Sequence, residues 1–369
     1  MNNDGDPTHP VARRQLASTR FRISEFVALR GSASGIQRSA FSGNTRVGRP
    51  SDQPKRRLAI HAIVYIAFAA LFLFFPWEEL RNERWIDRYR YALNFYNLNT
   101  VGGAGGSLLD LWKAEPAWQW LVTTLYKMTS NIDLTLTLVS AAALVCMLAF
   151  MKSNPRAILF LPILISPNFI DLIFSQTRSA LGFSLVYVAM IKHRRLLSRA
   201  VSVLPAALGV FMHQIVLPLV TVVFVHRIVS RARMSPFVRV GLLAAPPLIL
   251  VLLLTVFREQ ALGAIGDRRA YTVSRSSSIA LAVMLTSFVA PLLRRWTHVL
   301  HSPSAYLSIC MAFTAFCLEL SGQSGGPRMM ALAMPALAVA LSEIREVKVR
   351  NWSLGYILFC NALYFSYWL

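Results

Sequence analysis

The chain has 369 residues, 55% of them hydrophobic and 15% charged, and a mean hydropathy of +0.48. That balance is too apolar for a soluble globular enzyme or binding module, so a polytopic membrane protein is expected. The formal charge of +21 then belongs to short connections that fix orientation in a bilayer, and no nucleic-acid partner is expected.

Residues 1–57 form a polar tail rich in Arg, Ser and Gly, with eleven Arg/Lys against four Asp/Glu. This composition reads as disordered and cytoplasmic, drawn to the headgroups of membrane lipids, with no cleavable signal peptide expected. Residues 58–369 then make up the integral membrane domain. Runs such as Leu58–Phe75, Leu134–Met151, Val238–Phe257 and Ala305–Leu320 approach the ~20 residues that cross ~30 Å of hydrocarbon. The four cysteines (Cys146, Cys310, Cys317, Cys360) lie within apolar runs and lack metal spacing, so they read as packing thiols.

With the basic tail inside, Leu58–Pro76 crosses outward. Trp77–Ala114 is then an external segment of mixed charge containing the glycine-rich loop Val101–Gly106. Glu115–Ser130 is short and rich in Trp, Tyr and Lys, which suits a helix lying at the outer surface. Asp133–Met151 returns inward, Ala157–Pro167 runs out again with breaks at Pro162 and Pro167, and Arg178–Ile191 returns to the basic loop Lys192–Arg195. Ala200–His226 has cytoplasmic charge at both ends but too few residues for two full crossings. Two arms of 13 residues each reach ~20 Å, which places His213 at the apex of a re-entrant hairpin. Pro236–Phe257 runs outward to the external loop Arg258–Ser278, and Ile279–Leu293 runs inward. Ser304–Ser321 runs outward to the turn Gly322–Pro327, Arg328–Ser342 returns, and Trp352–Leu369 ends outside. The expected fold class is all-α, a transmembrane helical bundle of about ten spans, with re-entrant or interrupted helices around an outward-facing cavity.

On this topology Asp87, Glu115, Arg178, His213, Arg268, Arg269 and Arg328 all lie on the non-cytoplasmic side. Ionisable groups at membrane depth are costly and call for a functional account. Arg178 and Arg328 each open a helix, where a cation opposes the dipole and so does not serve as a cap. Guanidinium together with free helix N–H groups suits a phosphate or diphosphate, while snorkelling to lipid phosphates is the plainer account of each arginine alone. His213 has the basicity to take a proton from a hydroxyl, or to donate to a phosphate oxygen; a core histidine bonded to a free carbonyl is its structural alternative. Glu115 precedes Pro116, so helix capping explains it. Asp87, Tyr91 and Phe95 share one helix face. No Walker loop, HExxH, DxD or nucleophile elbow is present, which argues against nucleotide-driven transport and metal-dependent use of nucleotide sugars.

In order and context these motifs resemble the EpsG and Wzy-type exopolysaccharide and O-antigen polymerases. The resemblance rests on Asp87-x-x-x-Tyr91, Glu115-Pro116, Gln176-Thr-Arg178-Ser-Ala-Leu-Gly182, Phe211-Met-His213, Arg269-Ala-Tyr271 and Arg328, across about residues 58–345. Gln214 stands where a small Ser is common, and Arg328-Met-Met replaces an Arg-aromatic ending. The resemblance implies a multi-pass enzyme of the bacterial cytoplasmic membrane, its N-terminus cytoplasmic. It would join undecaprenyl-diphosphate-linked oligosaccharides at the periplasmic face, with no cofactor and no metal. A chain-length regulator and a flippase of the same pathway are the expected protein partners.

In that scheme Arg178 and Arg328, helped by Arg268 or Arg269, hold the diphosphate. His213 is the base or a phosphate contact. Asp87 and Glu115 orient sugar hydroxyls or act as the alternative base, and Tyr91, Gln176 and Tyr271 contact sugar. The main rival is a flippase or transporter of lipid-linked oligosaccharide, disfavoured because there is no clear internal repeat and the polar groups gather on one face. A ligase or an acyltransferase is the second rival; the latter would want a nucleophile or His-Asp pair reachable from the cytoplasm, which is not found.

Overall fold

The computed structural model describes residues 53–81, 85–98, 115–191, 197–213, 216–255, 301–320 and 326–368. Arg268, Arg269, Tyr271, the expected run Ile279–Leu293 and most of the N-terminal tail lie outside the described residues. Among those described there are fourteen helical segments and no strand, so the chain is all-helical as expected.

The first half gives α1 (Gln53–Phe74), α2 (Trp77–Arg81), α3 (Ile86–Leu98), α4 (Pro116–Thr129) and α5 (Ile132–Lys152). A 3₁₀ segment (Pro155–Leu164) follows, then α6 (Pro167–Phe174) and α7 (Thr177–Met190). The second half gives α8 (Leu197–Met212), α9 (Val216–Val229), α10 (Pro236–Thr255), α11 (Pro303–Leu320), α12 (Gly326–Ser342) and α13 (Val347–Trp368).

Local chemistry sets these boundaries. Asn131 caps α5 by accepting from Leu134 N–H at 3.1 Å, Asp133 lies in its first turn and Lys152 in its last, all favourable to the helix dipole. Asn154 and Ser166 likewise open the 3₁₀ segment and α6, each with Pro as the next residue, where a missing N–H costs nothing. The 3₁₀ segment and α6 meet at a bend of 90°, so the expected outward run Ala157–Pro167 turns sharply back. Side chains satisfy backbone carbonyls there: Ser140 Oγ donates to Ile173 O at 2.7 Å and Asn361 Nδ2 to Ile163 O at 3.3 Å. Interrupted backbone in an apolar setting needs such partners.

The core is built on α12, whose residues from Met329 to Ser342 are all buried, and on α5, the 3₁₀ segment, α6 and α7 around it. Here α11 pairs with α12, and α7 packs against both α5 and α8. Gly182 and Gly209 make the last contact close. A Cβ on Gly209 would lie 2.7 Å from the Gly182 carbonyl, and one on Gly182 would lie 2.9 Å from Val216 Cγ2 and 3.4 Å from His213 Cβ.

Ile132–Lys152 is the one described helix long and apolar enough to cross a bilayer, with the bent 3₁₀–α6 pair as a second if it counts as one span. The other apolar helices, such as Val216–Val229 and Gly326–Ser342, fall short of that length, so the described residues do not yield the expected ten spans by this criterion. Pro205, Pro246, Pro247 and Pro335 lie inside α8, α10 and α12, each of which continues through them. Outside the core, Ile63, Ile66, Phe74, Trp120, Leu204, Phe224 and Phe237 stand exposed, more large apolar surface than a soluble monomer ordinarily leaves bare.

Candidate functional site

Four helix ends and one amphipathic helix bring the polar residues together. Glu115 immediately precedes α4 and has φ 50° and ψ 60°, left-handed values that are unfavourable for a residue with a side chain. Its carboxylate makes no cap bond to α4, which corrects the capping expectation. Instead one oxygen accepts from the Arg178 guanidinium and the other bonds His213 Nδ1 at 2.7 Å. These three residues come from the starts of α4 and α7 and the α8–α9 connection. The close α7–α8 contact at Gly182 and Gly209 is what lets His213 approach the first turn of α7.

A carboxylate only accepts, so the proton between these groups belongs to His213 Nδ1, and the neutral ring carries its lone pair on Nε2. That tautomer follows from the hydrogen-bond network. Burial lowers the His213 pKa below its ordinary 6.5; the bond to Glu115 opposes this, while the charges of Arg178 and Arg328 reinforce it. The ring is therefore neutral at pH 7. Arg178 and Arg328 open α7 and α12, and the charges of both bear on this one histidine.

Helix α3 completes the arrangement. Tyr91 lies under Arg178, with the guanidinium carbon 5.6 Å from the ring centroid, and packs on Trp118 of α4 at 5.7 Å. One turn earlier Asp87 accepts from Arg328 at 3.1 Å, with Arg90 at 3.8 Å. Arg88 pins α3 to the start of α5 through Asp133 O and Thr137 Oγ1, both at 2.8 Å. Asp87, Arg88 and Tyr91 thus reach four different helices, α12, α5, α7 and α4.

Six predicted site residues thus fall in two contact sets carried by α3, Glu115 with Arg178, His213 and Tyr91, and Asp87 with Arg328, while the Gln176 amide bonds Asp171. Neither Arg178 nor Arg328 is an isolated, snorkelling cation, since each holds a carboxylate. Arg268, Arg269 and Tyr271 lie outside the described residues.

Sequence reasoning missed Asp171 and Arg81. Asp171 is the one charged residue of α6; it pairs with Arg81 at 3.3 Å and accepts from Gln176 Nε2 at 2.9 Å. The charges of Arg328 and Asp87 also bear on it. The Arg81 guanidinium lies 5.5 Å from the rings of both Trp85 and Trp368. An Asp inside an apolar run was the available signal.

The family model for EpsG proteins matches residues 63–369. The chain belongs to the EpsG family. It is a family of exopolysaccharide and Wzy-type polymerase-like proteins, which places this EpsG protein in polysaccharide biosynthesis. No curated protein and no solved structure matches it. The match spans every residue of the network, from Arg81 to Arg328.

Proposed function

We propose that this EpsG protein is a polysaccharide polymerase: a glycosyltransferase of the bacterial cytoplasmic membrane that joins undecaprenyl-diphosphate-linked oligosaccharides at the outer face. The apolar runs are read as about ten spans in that membrane. The observation that carries the catalytic reading is the Glu115 carboxylate shared between His213 and Arg178. A buried carboxylate that fixes one tautomer of a neutral imidazole prepares a general base.

In this reading His213 Nε2 takes the proton from an acceptor sugar hydroxyl. The hydroxyl oxygen bonds to the anomeric carbon of the donor glycan. The bond from that carbon to the diphosphate oxygen breaks, and its electron pair leaves with the lipid diphosphate. Glu115 holds the imidazole in place and offsets the charge it acquires. Arg178 and Arg328, with Arg268 or Arg269 from the outer loop, stabilise the charge growing on the leaving group. Asp87, Tyr91 and Tyr271 orient the sugars, and Gln176 gives its amide nitrogen to Asp171 instead.

Both arginines already hold carboxylates, so substrate binding is an exchange of anions. Arg328 is the more exposed, with 39% of its side chain accessible against 17% for Arg178, and it exchanges first. Asp87 then turns to the sugar or to Arg90.

The test supplies purified protein in vesicles with a lipid-diphosphate-linked repeat unit. Wild-type protein is expected to build long glycan, and His213→Ala at equal membrane level to leave single units on the outer side. Normal chain length with His213→Ala removes the histidine from the mechanism. Repeat units accumulating inside would favour the flippase instead.

A further inference from the structure

Asp171 is the buried-helix carboxylate that the mechanism above does not use. Every other residue of α6, from Pro167 to Phe174, is buried, while the Asp171 side chain keeps 29% accessibility and reaches out to fixed partners. Its partners point one way. Its carbonyl accepts the Ser175 and Gln176 N–H groups at 2.8 and 3.1 Å, and its carboxylate accepts from the Gln176 amide at 2.9 Å. A carboxylate cannot donate, so the nitrogen of the Gln176 amide must face Asp171, which fixes the amide's orientation. Gln176 is the N-cap residue of α7 but makes no side-chain cap bond to that helix, because its side chain is turned back onto α6. Two residues further along is Arg178.

On its other side Asp171 is anchored by Arg81, itself held between Trp85 and Trp368. Asp171 thus links Arg81 of α2, set against Trp85 and Trp368, to the first turn of α7. We propose that Asp171 is a positioning residue: anchored by Arg81, it fixes Gln176 and so aims Arg178 at Glu115 and the substrate diphosphate. This rests on the reading of Arg178 as a substrate-binding residue. A displacement of about 1 Å in a group that must meet a reacting centre is enough to cost ~100-fold in rate.

The experiment compares Asp171→Ala, Asp171→Asn, Gln176→Glu and the double variant Asp171→Asn with Gln176→Glu, all in the full chain. In the double variant the hydrogen bond returns with its polarity reversed, the Asn amide donating to the Glu carboxylate. Turnover is expected to fall about 10–100-fold in Asp171→Ala and Gln176→Glu, at unchanged membrane level and thermal midpoint, and to recover in part in the double variant. A double variant no better than the singles overturns the proposal, as does an activity loss that merely follows loss of folded protein. A second readout does not depend on polymerisation: the Nε–H resonance of Arg178, assigned by its absence in Arg178→Lys, in arginine-labelled protein. It is expected to shift in Asp171→Ala and to return toward its original position in the double variant. An unmoved resonance overturns the proposal whether or not the protein polymerises. Wild-type protein that makes no glycan, with the resonance behaving as expected, counts instead against the polymerase reading.

Discussion

The Glu115 group and the Asp87–Arg328 pair use the same chemistry in different surroundings. Glu115 joins two partners from two other places in the chain, and the exposed fractions of the side chains are 10% for Glu115, 17% for Arg178 and 18% for His213. Asp87 meets Arg328 across a contact in which the arginine is 39% accessible and Arg90 also hovers at 3.8 Å. Water and salt weaken the second pair far more than the first. The buried group is therefore suited to hold geometry through a reaction, and the half-exposed pair to change partners. Substitutions should separate these roles.

The largest effect is expected at Glu115. Glu115→Ala leaves Arg178 buried without its carboxylate and His213 without its tautomer-fixing acceptor. Breaking a buried charged pair from one side costs about 3–5 kcal/mol. Low membrane abundance together with undetectable glycan is the expected result, while Glu115→Gln should restore abundance more than activity. Stable, active Glu115→Ala protein would show that the two regions do not differ in kind.

His213→Ala should cost less in stability and about 10²–10⁴-fold in turnover. The pH dependence has a definite sign. The His213 pKa is lowered in the folded protein, so the folded state binds fewer protons than the unfolded chain near pH 6.5. Its contribution to stability is full above 6.5 and is lost as pH falls from there toward the folded value. Activity carried by the neutral ring should likewise be level above pH 7 and fall on the acid side of 6.5, a limb absent from His213→Ala. An acid limb that survives the substitution assigns it elsewhere.

The approach of His213 to Arg178 depends on the glycine contact between α7 and α8. Gly209→Ala would press a methyl against the Gly182 carbonyl at 2.7 Å, where only backbone can move. Gly182→Ala meets the Val216 side chain at 2.9 Å, which can turn aside. Overpacking of this kind costs about 1–3 kcal/mol, so Gly209→Ala should lower the thermal midpoint more than Gly182→Ala. Equal midpoints would mean that the two helices are not in tight contact there.

Individual residues were legible in the sequence because each broke an apolar pattern. Arg178 after Gln176-Thr, Arg328 after Gly-Gly-Pro and His213 between two short apolar arms were located with their helix ends. Their partners were not legible. Glu115 finds Arg178 63 positions away and His213 98 away, and Asp87 finds Arg328 at 241, separations that carry no local signal. Glu115-Pro116 looked like a cap because Pro is favoured at the first helical position. The left-handed backbone of Glu115, which local propensity disfavours, turns its carboxylate away from α4. Arg81 was lost among alternating charges that resemble a solvated helix face. Asp171 was lost because the segment around it read only as apolar. Span count is legible only in part: a 90° bend divides one apolar run, and by length and composition the described residues give one helix that crosses a bilayer, or two with the bent pair.

The smallest effect is the most discriminating. Asp87→Asn keeps the shape of the Asp87–Arg328 contact and removes its charge, so stability should change by only about 0–1 kcal/mol. If Asp87 occupies Arg328 in place of the substrate diphosphate, removing that charge frees the guanidinium. Affinity for a short isoprenyl diphosphate should then rise a few-fold, most clearly at low ionic strength, while Arg328→Ala lowers it. If Asp87 is instead the base that takes the acceptor proton, affinity stays level and turnover collapses by ~10²-fold or more. Titration calorimetry with the diphosphate, set beside turnover for the same Asp87→Asn protein, separates the two. A rise in affinity also extends to Glu115, since a carboxylate that yields its exposed arginine leaves Glu115, with His213, as the pair that does the chemistry.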